Sequence, residues 1–135
     1  MKFPAWLTVY GDAAYRGDCP LEAAEQVTFF NQLRARHPGL GRIALHPRNE
    51  RKRHARQATR EKLEGMSPGA PDIIIPGAQT FCCELKRRDH TKSRWSKHQL
   101  AWLEAAQEAG AYVCVALGWE AAWAAMEAWL QGDHE

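Results

Sequence analysis

Residues 69–86 read GAPDIIIPGAQTFCCELK, and the fold is decided in this stretch. Two apolar runs, Ile73–Ile75 and Phe81–Cys83, flank a Pro76-Gly77 turn signal. β-Branched and aromatic residues on either side of such a turn predict a hairpin. Three ionisable residues interrupt the pattern: Asp72 at the head of the first strand, Glu84 and Lys86 in the second. Alternate strand residues share a face, so Glu84 and Lys86 point the same way. A hairpin closing symmetrically about Ala78 sets Asp72 opposite Glu84, with Cβ atoms about 5 Å apart. Carboxylates that close repel, and one is pushed towards protonation unless a cation sits between them. A hard divalent ion such as Mg²⁺ takes carboxylate oxygens and keeps some waters. A lysine beside it can orient a water or stabilise developing charge. The spacing alone also suits a surface hairpin with a solvated Glu–Lys pair.

Working outward, 135 residues with 45% hydrophobic and 25% charged content fit one soluble globular domain. No apolar run nears the roughly 20 residues that span a bilayer, and the N-terminal stretch lacks the apolar core of a signal peptide. The expected location is the cytoplasm, with no membrane partner. Four cysteines (Cys19, Cys82, Cys83 and Cys114) lack any zinc-site spacing. They read as buried, reduced thiols, with Cys82 on the face of Glu84 and placed to line a site there.

Net charge is only +2, but it is unevenly spread. Residues 42–62 carry eight Lys and Arg, residues 86–98 carry six, and none occurs from Ala101 onward, where six acids lie. Both basic clusters flank the hairpin, as a face for a polyanion would. The first holds Arg51, Lys52, Arg53, Arg56 and Arg60 on a run, Glu50–Glu64, that looks helical and has little to bury; phosphate contact is its natural use. The second holds Arg87, Arg88, Lys92, Arg94 and Lys97 in and after a polar loop that could grip a nucleic-acid backbone.

Residues 1–19 read as an irregular arm packed on the domain or on a partner, and residues 20–135 as a single domain. A helix is expected from Pro20 or Leu21 to about Arg36, with Ala23, Val27, Phe29, Phe30 and Leu33 on its apolar face. Glu22 and Gln26 fall within that stripe and Glu25 at its edge. A short strand, Arg42–His46, follows. Beyond the hairpin, a helix opens at Trp95 or Ser96, with Ser96 as N-cap and Gln99 one turn in, and ends before Gly110. Residues 111–117 predict a strand buried on both faces. A last helix runs from Trp119 or Glu120 to Leu130, with Trp119, Trp123 and Met126 in the core or at a subunit contact. This order gives an α/β sandwich with a central mixed sheet.

Pro71-Asp72 followed by Glu84-Leu85-Lys86 resembles the PD-(D/E)xK nuclease signature. Gly65-x-x-x-Gly69-Ala70-Pro71-Asp72, Ser96-x-x-Gln99 and Gly110 before an apolar strand narrow the resemblance to the VRR-NUC branch, from about Leu21 to Trp123. The resemblance implies a restriction-endonuclease-like α/β/α sandwich. It also implies an endonuclease that hydrolyses DNA with Mg²⁺ or Mn²⁺ held by Asp72, Glu84, the Leu85 carbonyl and Glu22. Glu22 is favoured over Glu25 because Glu22 and Gln26 match the family's Glu-x-x-x-Gln pattern. Lys86 would position or help deprotonate a water, and Gln99 and Gln26 would hydrogen-bond substrate or ligands. The family's Pro-Asn pair corresponds to Pro47 and Asn49, with one residue inserted. Stand-alone members resemble Holliday-junction resolvases and are often phage-encoded, which implies branched or duplex DNA, a homodimer, and a bacterial or phage-infected cell. A non-catalytic DNA-binding protein, a flap or linear-DNA nuclease and a sequence-specific restriction enzyme are the alternatives.

Overall fold

The computed structural model describes residues 1–47, 55–65 and 67–132. In chain order its elements are β1 (Thr8–Tyr10), α1 (Glu22–Arg36), α2 (Pro38–Ile43), α3 (Ala55–Leu63), β2 (Ile73–Ile75) and β3 (Phe81–Lys86). A 3-10 turn (His90–Lys92), α4 (Gln99–Glu108), β4 (Tyr112–Leu117) and α5 (Trp119–Leu130) complete it. The strands form one mixed sheet in the order β1-β4-β3-β2, with β2 antiparallel to β3 and the other pairs parallel.

β3 and β4 are central and buried throughout, so their residues feed two cores in alternation. Phe81, Cys83, Leu85, Cys114 and Ala116 meet Phe29 and Leu33 of α1 and Trp123 and Met126 of α5 on one face. Cys82, Val113 and Val115 meet Leu7 and Leu103 of α4 on the other. Helices on both faces of a mixed sheet make this the expected α/β/α sandwich. Each large apolar side chain fully buried in it contributes about 1.5–3 kcal/mol. All four cysteines are free thiols, and Cys82, Cys83 and Cys114 are buried. Burial pushes the Cys82 thiol up to about 12. No helix among the described residues is long and apolar enough to cross a membrane.

Four local expectations need correction. The arm is not wholly irregular, because Thr8–Tyr10 pair in parallel with Cys114–Ala116 as an edge strand. Arg42 and Ile43 are helical rather than extended: Pro38 starts a fresh helix directly after α1, its fixed φ suiting a first turn. Of the expected strand only Leu45 pairs, exchanging two 2.9 Å backbone hydrogen bonds with Ile74. Helix α4 begins at Gln99 and Ser96 does not cap it. Ala23 and Val27 are exposed, and the buried stripe of α1 runs through Glu25, Phe29, Phe30 and Leu33. Periodicity cannot show that a glutamate occupies the inward position.

Candidate active site

The register of β2 on β3 is Ile73↔Cys83, Ile74↔Cys82 and Ile75↔Phe81, which continued by one residue sets Asp72 opposite Glu84. The Asp72 amide donates to Glu84 Oε1 at 3.2 Å, and the Leu85 amide donates to Asp72 Oδ2 at 3.0 Å. Asp72 sits at a bend just before β2, where the chain leaves the sheet. Pro71 before it has no amide hydrogen to offer a neighbouring strand.

Glu84 is 2% exposed and Asp72 lies at the rim, its side chain 23% exposed. Burial and the neighbouring Asp72 raise the Glu84 carboxyl well above the ordinary range. Burial likewise raises Asp72, and Glu22 adds to it, against the opposing pull of the Leu85 amide and His46. Glu22 raises both acids through its charge, so it stands within electrostatic reach of the pair. Glu22 is aimed by Ser93, whose hydroxyl donates to its Oε2 at 2.6 Å and accepts from the Arg87 amide at 3.0 Å.

Lys86, also 2% exposed, completes the centre. Its Nζ donates to the Arg94 carbonyl at 2.8 Å and Gln99 Oε1 at 3.1 Å, and lies 3.3 Å from Glu84 Oε2. The Trp95 ring lies 5.0 Å away, within cation–π range. Gln99 sits at the first residue of α4 rather than a turn inside it. Its Nε2 donates to Glu84 Oε2 at 2.6 Å while its Oε1 also accepts from the Ser96 amide at 2.9 Å. Gly69 permits this closeness: at φ +86° it has no Cβ, and one placed there would fall 2.3 Å from the His98 carbonyl oxygen.

Glu25 is held elsewhere. It is 2% exposed, accepts from Arg88 Nε at 3.0 Å and faces the Trp119 amide at 3.4 Å, at the start of α5. Gly118, at φ +97°, lacks the Cβ that would press on Arg88 at 2.8 Å and Glu25 at 3.0 Å.

A solved structure described as a "VRR_NUC domain protein" superimposes with a TM-score of 0.68 at 20% identity, over 87% of this chain and 92% of that one. This chain has the VRR-NUC fold. No family model matches the sequence, and neither does any curated protein.

On the VRR-NUC fold, Asp72, Glu84, Leu85, Lys86, Gln99 and Glu22 gather at one end of β3. The expected DNA contacts divide. Arg87 donates to the Cys19 and Pro20 carbonyls, Lys92 to the Gly17 carbonyl, and Arg88 bridges Glu25 and Glu120. Arg94, Lys97 and, on α3, Arg60 are exposed. Arg56 also falls on α3, and Asn49, Arg51, Lys52 and Arg53 lie outside the described residues. Gln26 lines a cleft beside the site. Cys82 does not join the carboxylates; it sits with Val113 and Leu103 in the core under α4. Sequence reasoning missed Ser93, Trp95 and His46, whose Nδ1 lies 2.9 Å from the Asp72 carbonyl oxygen. Only Trp95, an aromatic just after a basic loop, gave any signal.

Proposed function

We propose that this protein is a VRR-NUC nuclease that hydrolyses phosphodiester bonds in DNA with Mg²⁺ or Mn²⁺. The observation that carries the reading is the forced pairing of Asp72 with Glu84, beside a buried lysine and within reach of Glu22. Burying like charges together is costly unless a cation offsets them. The donors are all hard oxygens, as Mg²⁺ and Mn²⁺ prefer. Among the described residues no three His, Cys, Asp or Glu side chains already form a cage. An ion here would be held by one or two carboxylates and completed by water and substrate phosphate.

Asp72, Glu84 and the Leu85 carbonyl would hold the ion, with Glu22 at its edge. Bound there, a divalent cation would lower the pKa of a water and offset charge on the scissile phosphate. The Leu85 amide fixes Asp72, and Gln99 fixes Glu84. Lys86, hydrogen-bonded to the Arg94 carbonyl and Gln99 Oε1, would turn its remaining proton from Glu84 to a water or to developing charge. The exposed Arg94, Lys97 and Arg60 supply attraction to the backbone.

Branched DNA is the proposed substrate, in line with the junction-resolvase character that the motif resemblance implies. Paired cuts at a four-way junction need two such sites, so a homodimer would be the working form. The test is cleavage of a labelled four-way junction beside a flap, a linear duplex and a single strand, with Mg²⁺, Mn²⁺ or EDTA. Symmetric, metal-dependent cuts confined to the junction are expected. Cutting of every substrate keeps the chemistry and discards the junction preference. Tight binding without cleavage in any metal would favour the non-catalytic DNA-binding alternative.

A further inference from the structure

A cleft of about 250 Å³ opens between α1 and the segment Ala44–His46. Its polar lining is Gln26, Asn31, Arg34 and His46, over an apolar floor that includes Phe30 and Ala44, and no carboxylate among the described residues lines it. His46 ties it to the catalytic centre through the 2.9 Å contact with the Asp72 carbonyl. The Arg34 guanidinium carbon sits 5.5 Å from the centroid of the Phe30 ring. Stacking on a ring face leaves the N–H edge of a guanidinium available. Arg34 makes no ion pair with any described residue, and the amides of Gln26 and Asn31 make no hydrogen bond among them. A cation and two amides facing one space without an anion of their own describe a receptor for an oxyanion.

We infer that this cleft seats a phosphodiester of the cleaved strand, within about two nucleotides of the scissile bond. The inference rests on the nuclease reading above. Gln26 lies one turn beyond Glu22 on α1, which rises about 1.5 Å per residue, so a strand leaving the carboxylates along this helix reaches the cleft directly. The volume falls below the roughly 300–1,000 Å³ of pockets that enclose a whole small molecule. One sugar–phosphate unit fits this description, with the sugar on Phe30 and Ala44 and the base left outside. The contact therefore sets position on the strand and reads no sequence.

The test uses the full chain carrying Asp72→Asn, which is expected to bind without cutting, and a DNA whose cut position has been mapped with wild-type protein. Neutral methylphosphonates replace single phosphates on either side of the cut. One position within about two nucleotides is expected to weaken binding about tenfold. Arg34→Ala should weaken binding to unmodified DNA by a similar factor and lower the salt slope by about one, and Arg34→Lys should recover part of the loss. Combining Arg34→Ala with that methylphosphonate should cost nothing more. Losses that multiply at every position, or an Arg34→Ala protein that binds like its parent, would overturn the inference while leaving the nuclease intact. Wild-type protein that cuts no DNA in any metal would remove the nuclease reading and the inference with it.

Discussion

Arg88 closes on Glu25 at 3.0 Å, and this contact commits one of the two acids in the first turn of α1 to holding the fold. The same carboxylate faces the first amide of α5, where the helix dipole favours an anion. Glu22, three residues earlier, is turned by Ser93 towards Asp72 and Glu84 instead. Conservative substitution should separate the two roles. Glu25→Gln is expected to cost about 1–3 kcal/mol of stability, as a charged hydrogen bond is lost, and to leave turnover nearly unchanged. Glu22→Gln should lower turnover at least about tenfold with little change in Tm. Thermal melts and single-turnover cleavage of both variants check this.

The raised acids at the centre make a prediction about pH. Asp72 and Glu84 hold protons in the fold at pH values where the unfolded chain has released them. Folded protein thus binds more protons, and its stability falls as pH rises from about 4 into the raised range. In EDTA, Tm should decline across that interval, and Asp72→Asn should flatten the decline. At neutral pH, Mg²⁺ at about a hundredfold excess over its Kd should restore roughly 2.7 kcal/mol. A wild-type Tm that ignores both pH and Mg²⁺ would contradict the metal site.

Lys86 has three acceptors for three protons, and Trp95 covers its ammonium. Lys86→Gln should lower kcat at least about a hundredfold, because a donor fixed on developing charge is lost. Trp95→Ala should cost about tenfold in kcat with KM nearly unchanged, the scale of one cation–π contact. Trp95→Phe should retain most of that tenfold, since the ring remains while only the indole bond to the Lys2 carbonyl is lost. Steady-state kinetics on the preferred substrate decide it.

Asp89 fastens the arm to the loop beside the site, accepting from the Gly17 amide at 3.0 Å and from Thr91. Hydrogen bonds from Thr91 and Gly17 lower its carboxyl to about 2. A depressed folded value stabilises above the unfolded value near 4 and is lost as pH falls towards 2. Hydrogen exchange at Gly17 and Thr91 should therefore quicken, relative to the core, between those limits. In Asp89→Asn it should already be fast at neutral pH.

Much of the candidate site was legible because strand geometry is local. A turn at Ala78 and a period of two suffice to set Asp72 against Glu84 and to align Lys86. β4 was equally plain, since an unbroken apolar run has little choice but burial on both sides. What escaped depended on distant partners. β1 is three residues long and owes its existence to an open edge of β4. The inward turn of Glu25 depends on Arg88, which sequence reading assigned to DNA. Gln99 starts its helix rather than sitting inside it, at a point where Gly69 lies against His98, a contact far apart in sequence.

The parallel pairing of β1 with β4 has a consequence for biosynthesis. Thr8 meets Cys114 about a hundred residues later in the chain, and such long loop closures are slow to form. The loop that aims Glu22 and holds Lys86 leans on the same N-terminal arm through Gly17, Cys19 and Pro20. A nascent chain emerging from the ribosome would have made its carboxylate hairpin long before the strand that completes the sheet. Under the proposed function, cutting ability would then arrive late, after the body of the domain has left the ribosome.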